Sequence, residues 1–431
     1  MSSFPKGAGN AALNEATTTQ PATARTIWRD KLFWFMLTLF FVGGLVFNVL
    51  PVGFPVFKQV FAATPEKLGL VQCAFFTGGV LFSVVGGWLI GRWGLRVAVT
   101  VALGLLTAAL LIISEAPNFA AVTLGAGCFG FALFATVTAG NATINNHFQD
   151  KRQSTFFLMA LVAASGGVLG PAVLGRWFAF AGLQDESWRI GYLAAGAIVA
   201  GLALWSFFFA STEFHRASGS LPNTGATNSA VKEFLGKPVA YGLGLIYFLH
   251  GAAQGGIVSF VGLLYQKKLQ ADVDHAAYLI TANAAGLTGG RLLLYWATSR
   301  WEISELWIMT GCAAGATLAF AGTIASPSYL LGLIVFFLAG AFVSAIGPAV
   351  TSYTGGRFRS QATTAFSLSV GIGSLGGASG AYLIGLVASR LGVEKGIWLV
   401  PAASVVLAGV LFRWAIVERP FELQSSGSAE K

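Results

Sequence analysis

The sequence predicts an all-α membrane protein, with twelve transmembrane helices arranged as two pseudo-symmetric halves of six. Composition is the first ground. Of 431 residues, 55% are hydrophobic and only 10% charged. A soluble domain carries about 25% charged residues, so this chain cannot clothe a water-facing surface of its size. Length is the second: twelve apolar runs each approach the roughly 20 residues that a helix needs to cross a ~30 Å hydrocarbon layer. The third is grouping, with six runs before a polar stretch near mid-chain and six after it.

The first six runs are Leu32–Phe57, Leu68–Ile90, Val97–Ile113, Phe119–Ala142, Phe156–Phe180 and Ile190–Phe209. The second six are Val239–Leu264, Ala276–Ala297, Leu306–Ile324, Tyr329–Val350, Ala365–Ala388 and Ile397–Trp414. Residues 31–210 and 237–420 therefore form the two halves, and 211–236 is a solvated linker containing Ser218, Gly219, Ser220, Pro222 and Asn223. Residues 1–30 are rich in Ala, Thr and Ser without an apolar core, which reads as a disordered tail and not as a cleaved signal peptide. Residues 421–431 form a second tail.

The 55 glycines suit helices that approach closely in lipid. A formal charge of +9 would point to nucleic acid in a soluble protein. Here it follows from Lys and Arg on cytoplasmic loops. With the N-terminus inside, 17 of the 26 basic residues fall on the cytoplasmic side and eight outside, and Arg291 lies within a helix. Both termini are thus expected in the cytoplasm, in a bacterial inner membrane. Cys73, Cys128 and Cys312 each lie inside an apolar run, with no disulfide framework or metal spacing. No cofactor is expected, and no intramembrane Ser/His/Asp set suggests an enzyme. The expected partners are a small-molecule substrate and the bilayer, with one chain as the working unit.

Between the second and third runs stands Gly87-Trp-Leu-Ile-Gly91-Arg92-Trp-Gly94-Leu-Arg96. It resembles the G-x-x-x-D-R-x-G-x-R signature of the major facilitator superfamily, at the place where that family carries it. Gly91 replaces the acidic residue that latches a neighbouring helix, while Arg92 and Arg96 remain as basic anchors. Gly170-Pro171 in the fifth run resembles the family's glycine–proline motif, and Ser187-Trp188-Arg189 is similar to its lead into helix six. Gly290 to Arg300 is a degenerate copy of the signature in the second half. The resemblance implies a transporter in which two halves rock around a central site, with Gly87, Gly91, Arg92, Gly94, Arg96, Gly170 and Pro171 in conformational roles.

Two subfamilies are suggested. Leu68 to Phe76 and Gly140 to Asn145 resemble the fucose-permease group of sugar–proton symporters. Where that group has a proton-carrying Asp in helix one and a Glu in helix four, this chain aligns Pro51 and Val137. Gly290-Arg291-Leu-Leu-Leu-Tyr295-Trp296 resembles the eighth helix of oxalate–formate and monocarboxylate carriers, whose Arg binds the substrate carboxylate. That role passes to Arg291.

The residues themselves point the same way. A guanidinium at a helix centre costs at least ~2.5–3.5 kcal/mol, so Arg291 needs water, a partner or an anion; snorkelling to the interface is the bland alternative. His250 and Gln254, one turn apart, share a face of helix seven, and Asn48 and Asn283 are further candidates for substrate contact. All 17 acidic residues fall in tails, loops or helix ends, with Glu66 and Glu115 the most nearly embedded. The expected function is secondary transport of a small polar metabolite, an organic anion first. A fucose-permease-like sugar carrier and a non-transporting membrane sensor are the alternatives. The topology is testable: cysteines placed at Ser220 and Lys58 in a cysteine-free background should be respectively protected from and accessible to an impermeant thiol reagent on intact cells. The reverse pattern would overturn the orientation.

Overall fold

A computed structural model describes residues 30–148, 152–181, 186–209, 232–233, 235–298, 300–301, 304–358 and 362–427. Residues 1–29 of the expected tail and most of the linker lie outside the described residues. The helices are α1 (Lys31–Phe47), α2 (Val49–Val60), α3 (Pro65–Ser114), α4 (Phe119–His147), α5 (Arg152–Ala181) and α6 (Trp188–Phe209). In the second half they are α7 (Pro238–Leu269), α8 (Val273–Thr298), α9 (Glu305–Ala325), α10 (Tyr329–Arg357), α11 (Ala362–Leu391), α12 (Val393–Gly396) and α13 (Leu399–Gly427). The last helix runs into the stretch expected as a C-terminal tail.

These elements make twelve crossings. The first span is broken in two. Pro51 has no N–H to return to the carbonyl of Phe47, so α1 stops there and Asn48 bridges to α2. An aromatic stack secures the second piece. Phe57 lies parallel to Tyr192 of α6 at 5.8 Å, and the Tyr192 hydroxyl donates to the carbonyl of Val49 at 3.0 Å. The second and third spans run on as the single element α3, turned at Gly94, whose φ of 74° suits glycine. Among the described residues, eleven stretches are apolar and long enough to cross a membrane, and α8 is not among them. Asp274, His275, Thr281, Asn283, Thr288 and Arg291 lower its hydropathy. Its 26 residues and its place in the bundle make it a span nonetheless.

Glycine seams hold the helices together. A Cβ on Gly166 or Gly170 of α5 would run into the carbonyl oxygens of Phe41 or Leu45 of α1. In the second half, Gly376 and Gly380 of α11 meet the carbonyls of Phe248 and Ala252 of α7 in the same way. Gly130 of α4 against Phe75 of α3, and Gly286 of α8 against Phe337 of α10, are a second matched pair. The two halves thus repeat one packing scheme, span one on five and two on four, as an internal duplication requires.

Twelve crossings bring both chain ends to one face. The halves meet most closely toward the other, far face, and along α3 and α11 the contact runs on to Ser83 and Gly371. Phe54 of α2 packs edge-on to Phe260 of α7, the backbones of Gly69 and Gly385 meet between α3 and α11, and Gly175 of α5 abuts Ala277 of α8. By contrast α1, the part of span one nearer the termini, packs chiefly on α5. At its start Asp30 caps the helix by accepting from the Leu32 N–H at 2.8 Å and pairs with His147 of α4 at 2.7 Å. Burial by itself would raise the Asp30 carboxyl, but the bonds from His147, Leu32 and Phe33 outweigh it and hold it below its ordinary value. The carboxylate's capping bond from Leu32 is therefore present above that range and is lost as pH falls through the lowered value.

The seams make a direct prediction. Gly170→Val should lower the thermal unfolding midpoint of detergent-purified protein, since overpacking against backbone costs about 1–3 kcal/mol or more. Gly104→Val, where a Cβ meets nothing within 4 Å, should leave the midpoint unchanged.

Candidate functional site

The polar residues of the membrane interior gather on α7 and α8. On α8, Ala277 and Asp274 face α5 of the other half, whereas Gly286 and Gly290 face α10. At about 100° per residue, Arg291 lies roughly 40° from Ala277 and about 100° from Gly290 around the helix. It is therefore on the side turned toward the first half. It stands seven residues before the end of α8 at Thr298, in the part of the span nearer the termini. Arg291 has no ion-pair or hydrogen-bond partner among the described residues, and its Nε is buried unsatisfied.

The other candidates separate into two sets. Gln254 Nε2 donates to Asn283 Oδ1 at 3.3 Å, and Asn283 Nδ2 donates to the carbonyl of Phe336 on α10 at 3.3 Å. These amides join α7, α8 and α10 inside the second half, with Asn283 only 1% exposed. His250 and Gln254 line a small cavity among α7, α9, α10 and α13, within that half. Asn48 sits at the break in span one, half-buried, and makes no side-chain capping bond to α2. The structure brings His250, Gln254 and Asn283 together and leaves Asn48 and Arg291 apart from them.

The motif residues have structural partners. Arg92 lies 5.5 Å over the Trp88 ring, and Arg96 Nη2 donates to the carbonyl of Phe207 at the end of α6, at 2.8 Å. In the second half Arg300 lies 4.7 Å over Trp296, the same four-residue spacing. Gly87 and Gly91 continue the helix that Gly94 turns. Gly170 packs on α1, and Pro171 lies within α5. Arg189 donates to the carbonyls of Ser114 and Ala116, at 2.7 and 3.3 Å, clamping the α3–α4 turn to α6.

One residue that joins the two halves is not singled out by the sequence. Glu66 is half-buried and Glu115 exposed, whereas Asp274, in the first turn of α8, is only 7% exposed. Its carboxylate accepts from Arg176 of α5 at 3.3 Å and from the His275 backbone N–H at 2.8 Å. This is an ion pair between the halves, at the far face. Its signal in the sequence was an acid beside the start of the least apolar span. Asp272, Asp274 and His275 also place ligand atoms within 4.8 Å of one another. Asp274 is already engaged by Arg176 and its own helix, and two of the three side chains lie open to solvent, so no metal is assigned.

Two overlapping matches to the Major Facilitator Superfamily model cover residues 36–321 and 243–431. The chain belongs to the Major Facilitator Superfamily. Among curated proteins of the superfamily's kind, it is 27% identical over 171 residues to the quinolone resistance protein NorA of Staphylococcus aureus, 39% of this chain and 41% of that one. It is 24% identical over 170 residues to the zebrafish (Danio rerio) solute carrier family 2, facilitated glucose transporter member 10, 38% of this chain and 32% of that one. These matches thus span well under half of either relative. Solved structures share the superfamily fold. A bacterial homologue of the human lysosomal transporter Spinster, inward-facing and occupied, has a TM-score of 0.71 at 16% identity, over 90% of this chain and 96% of its own. The nucleoside transporter NupG has 0.72 at 14%, over 89% and 99%. The fucose:proton symporter of E. coli has 0.63 at 19%, over 88% and 97%.

In such a fold the Arg176–Asp274 pair belongs to the state with the far face closed. Asp274→Asn removes the charge without changing the shape. Spin labels on cysteines replacing Lys58 and Lys395, exposed on opposite halves at the far face, should then report a larger long-distance population by pulsed electron resonance. An unchanged distribution would mean the pair does not bias the equilibrium.

Proposed function

We propose that this superfamily member is a secondary transporter of a small organic anion, working by alternating access, with Arg291 meeting the carboxylate. The carrying observation is an unpaired guanidinium inside a span, on the side of α8 turned toward the other half. A cation so placed costs several kcal/mol without compensation, and it has no protein anion among the described residues to supply it. A carboxylate supplies two parallel charge-assisted hydrogen bonds to such a fork. With the halves joined at the far face, a ligand reaches Arg291 from the face of the termini, the cytoplasm in the orientation that the basic residues favour. The break at Asn48 suits the same reading, because interrupted helices present polar backbone and side chains to a central site.

A second reading is a sugar carrier. The likeness to the fucose:proton symporter favours it, and so does the amide pair Gln254–Asn283, since amides are sugar-binding groups. In that case Arg291 would be a gate residue. A thermal-shift screen of purified protein against sugars, monocarboxylates, dicarboxylates and amino acids separates the two readings.

Mutation of Arg291 tests the anion directly. Lysine keeps the charge but loses the planar fork. Arg291→Lys should weaken carboxylate transport in proteoliposomes about tenfold, a loss of ~1.4 kcal/mol, and Arg291→Gln should abolish it, with both proteins inserted and folded. A neutral sugar as substrate, with affinity unmoved by Arg291→Gln, would sink the anion reading.

A further inference from the structure

His250 is left without a task by the packing. It lies twelve residues into the 32-residue α7, about 18 Å along it, near the middle of the span. Its ring makes no hydrogen bond or ion pair among the described residues. It faces the cavity inside the second half together with Gln254 of its own helix, Phe320 of α9, Val343 of α10, and Ser404 and Leu407 of α13. Gln254 Oε1 is buried there with no partner. Ser404, only 2% exposed, has none either among the described residues.

Three polar groups therefore converge on one void and leave one another unsatisfied. A buried polar group without a partner costs about 1–3 kcal/mol. A buried water typically makes about three hydrogen bonds to such groups. The three groups match that number. No other titratable or charged side chain lines the void from α7, α9, α10 or α13.

We propose that this cavity is a proton-binding site: a water held by Gln254 and Ser404 delivers a proton to His250, and the bound proton biases the transport cycle. An O–H bond of the water, protonated from the aqueous side, breaks as an N–H bond forms at the unprotonated ring nitrogen. The ring gains one positive charge and the water is left neutral; release reverses the step. The consequence reaches α8 mechanically. Gln254, one turn from His250, holds Asn283, which stands eight residues before Arg291 on the same helix. A cation at His250 competes for Gln254 Oε1 and so acts on the amide pair that ties α7 to α8. A proton carried with the substrate would also offset the charge of an anion. Only that last point rests on the anion reading.

The test needs no substrate, so it stands or falls apart from that reading. In full-length protein carrying His275→Gln, which removes the imidazole beside Asp274, spin labels at positions 58 and 395 report the far-face distance at about pH 4.5 and about pH 8, a window that reaches well below an ordinary imidazole. The ratio of far-face-open to far-face-closed populations should change severalfold between the two. His250→Gln should make the ratio independent of pH. A pH-independent ratio in the parent, or a response that persists in His250→Gln, overturns the proposal. If His250→Gln does not yield folded protein, Ser404→Ala decides. It removes one partner of the water and should reduce the response, and a response equal to the parent's overturns the proposal.

Discussion

Close approach of backbones at glycine is the interaction on which the rest of this structure depends. Lipid tails are as apolar as leucine, so burying a leucine between two spans wins little. Cohesion must come from packing at short range. Gly166 and Gly170 let α5 reach the backbone of α1, and Gly376 and Gly380 let α11 reach that of α7. Because the same span pairs carry the seams in each half, each half becomes a rigid unit. Rigid halves that can turn against each other as bodies are what rocking requires.

The boundary between halves also uses glycine, since a Cβ on Gly69 or Gly385 would meet the carbonyl of Ala381 or Pro65 across it, but it adds contacts of other kinds. At the far face it combines one aromatic contact, a few small-residue contacts and the Arg176–Asp274 pair. Asp274 is buried and Arg176 is 71% exposed in its side chain, so the pair stays close to water. An ion pair so placed contributes modestly and exchanges readily for water. It can be made and broken within a cycle.

Polar chemistry is distributed unequally between halves that are otherwise similar. The second half carries the amide chain from Gln254 through Asn283 to Phe336, the cavity at His250, and Arg291. The amides and Arg291 lie on or against α8, the span whose apolarity falls short of the others, whereas the cavity lies on the far side of α7 from it. A polar span keeps its place in the bilayer because five more apolar neighbours in its half shield it. Its polar groups then meet water, one another or a ligand. The Arg-over-Trp pairs at Trp88–Arg92 and Trp296–Arg300 keep the older symmetry visible at the face of the termini.

The sequence by itself determined the fold class, because apolar length against bilayer thickness is a one-dimensional constraint. Ten of the twelve expected runs fall within single helical elements; the first is broken at Asn48, and the last begins at Ile397 and Trp398, just before its helix. Arg291 was legible for the same reason, a charge in an apolar run. The turn after Arg92 was legible through its glycines, although only the structure shows that Gly94 alone carries the positive φ. The break at Asn48 followed from Pro51, yet a proline does not announce whether a helix kinks or stops. What only the tertiary structure decided is which polar groups meet. Gln254 and Asn283 are 29 residues apart in the chain, and Arg176 and Asp274 are 98. Helical periodicity states which face a residue occupies, and the neighbour on that face is set by packing between helices. So Asp274 read as a helix-end acid until α5 was placed against it, and His250 as a cavity residue without saying which cavity.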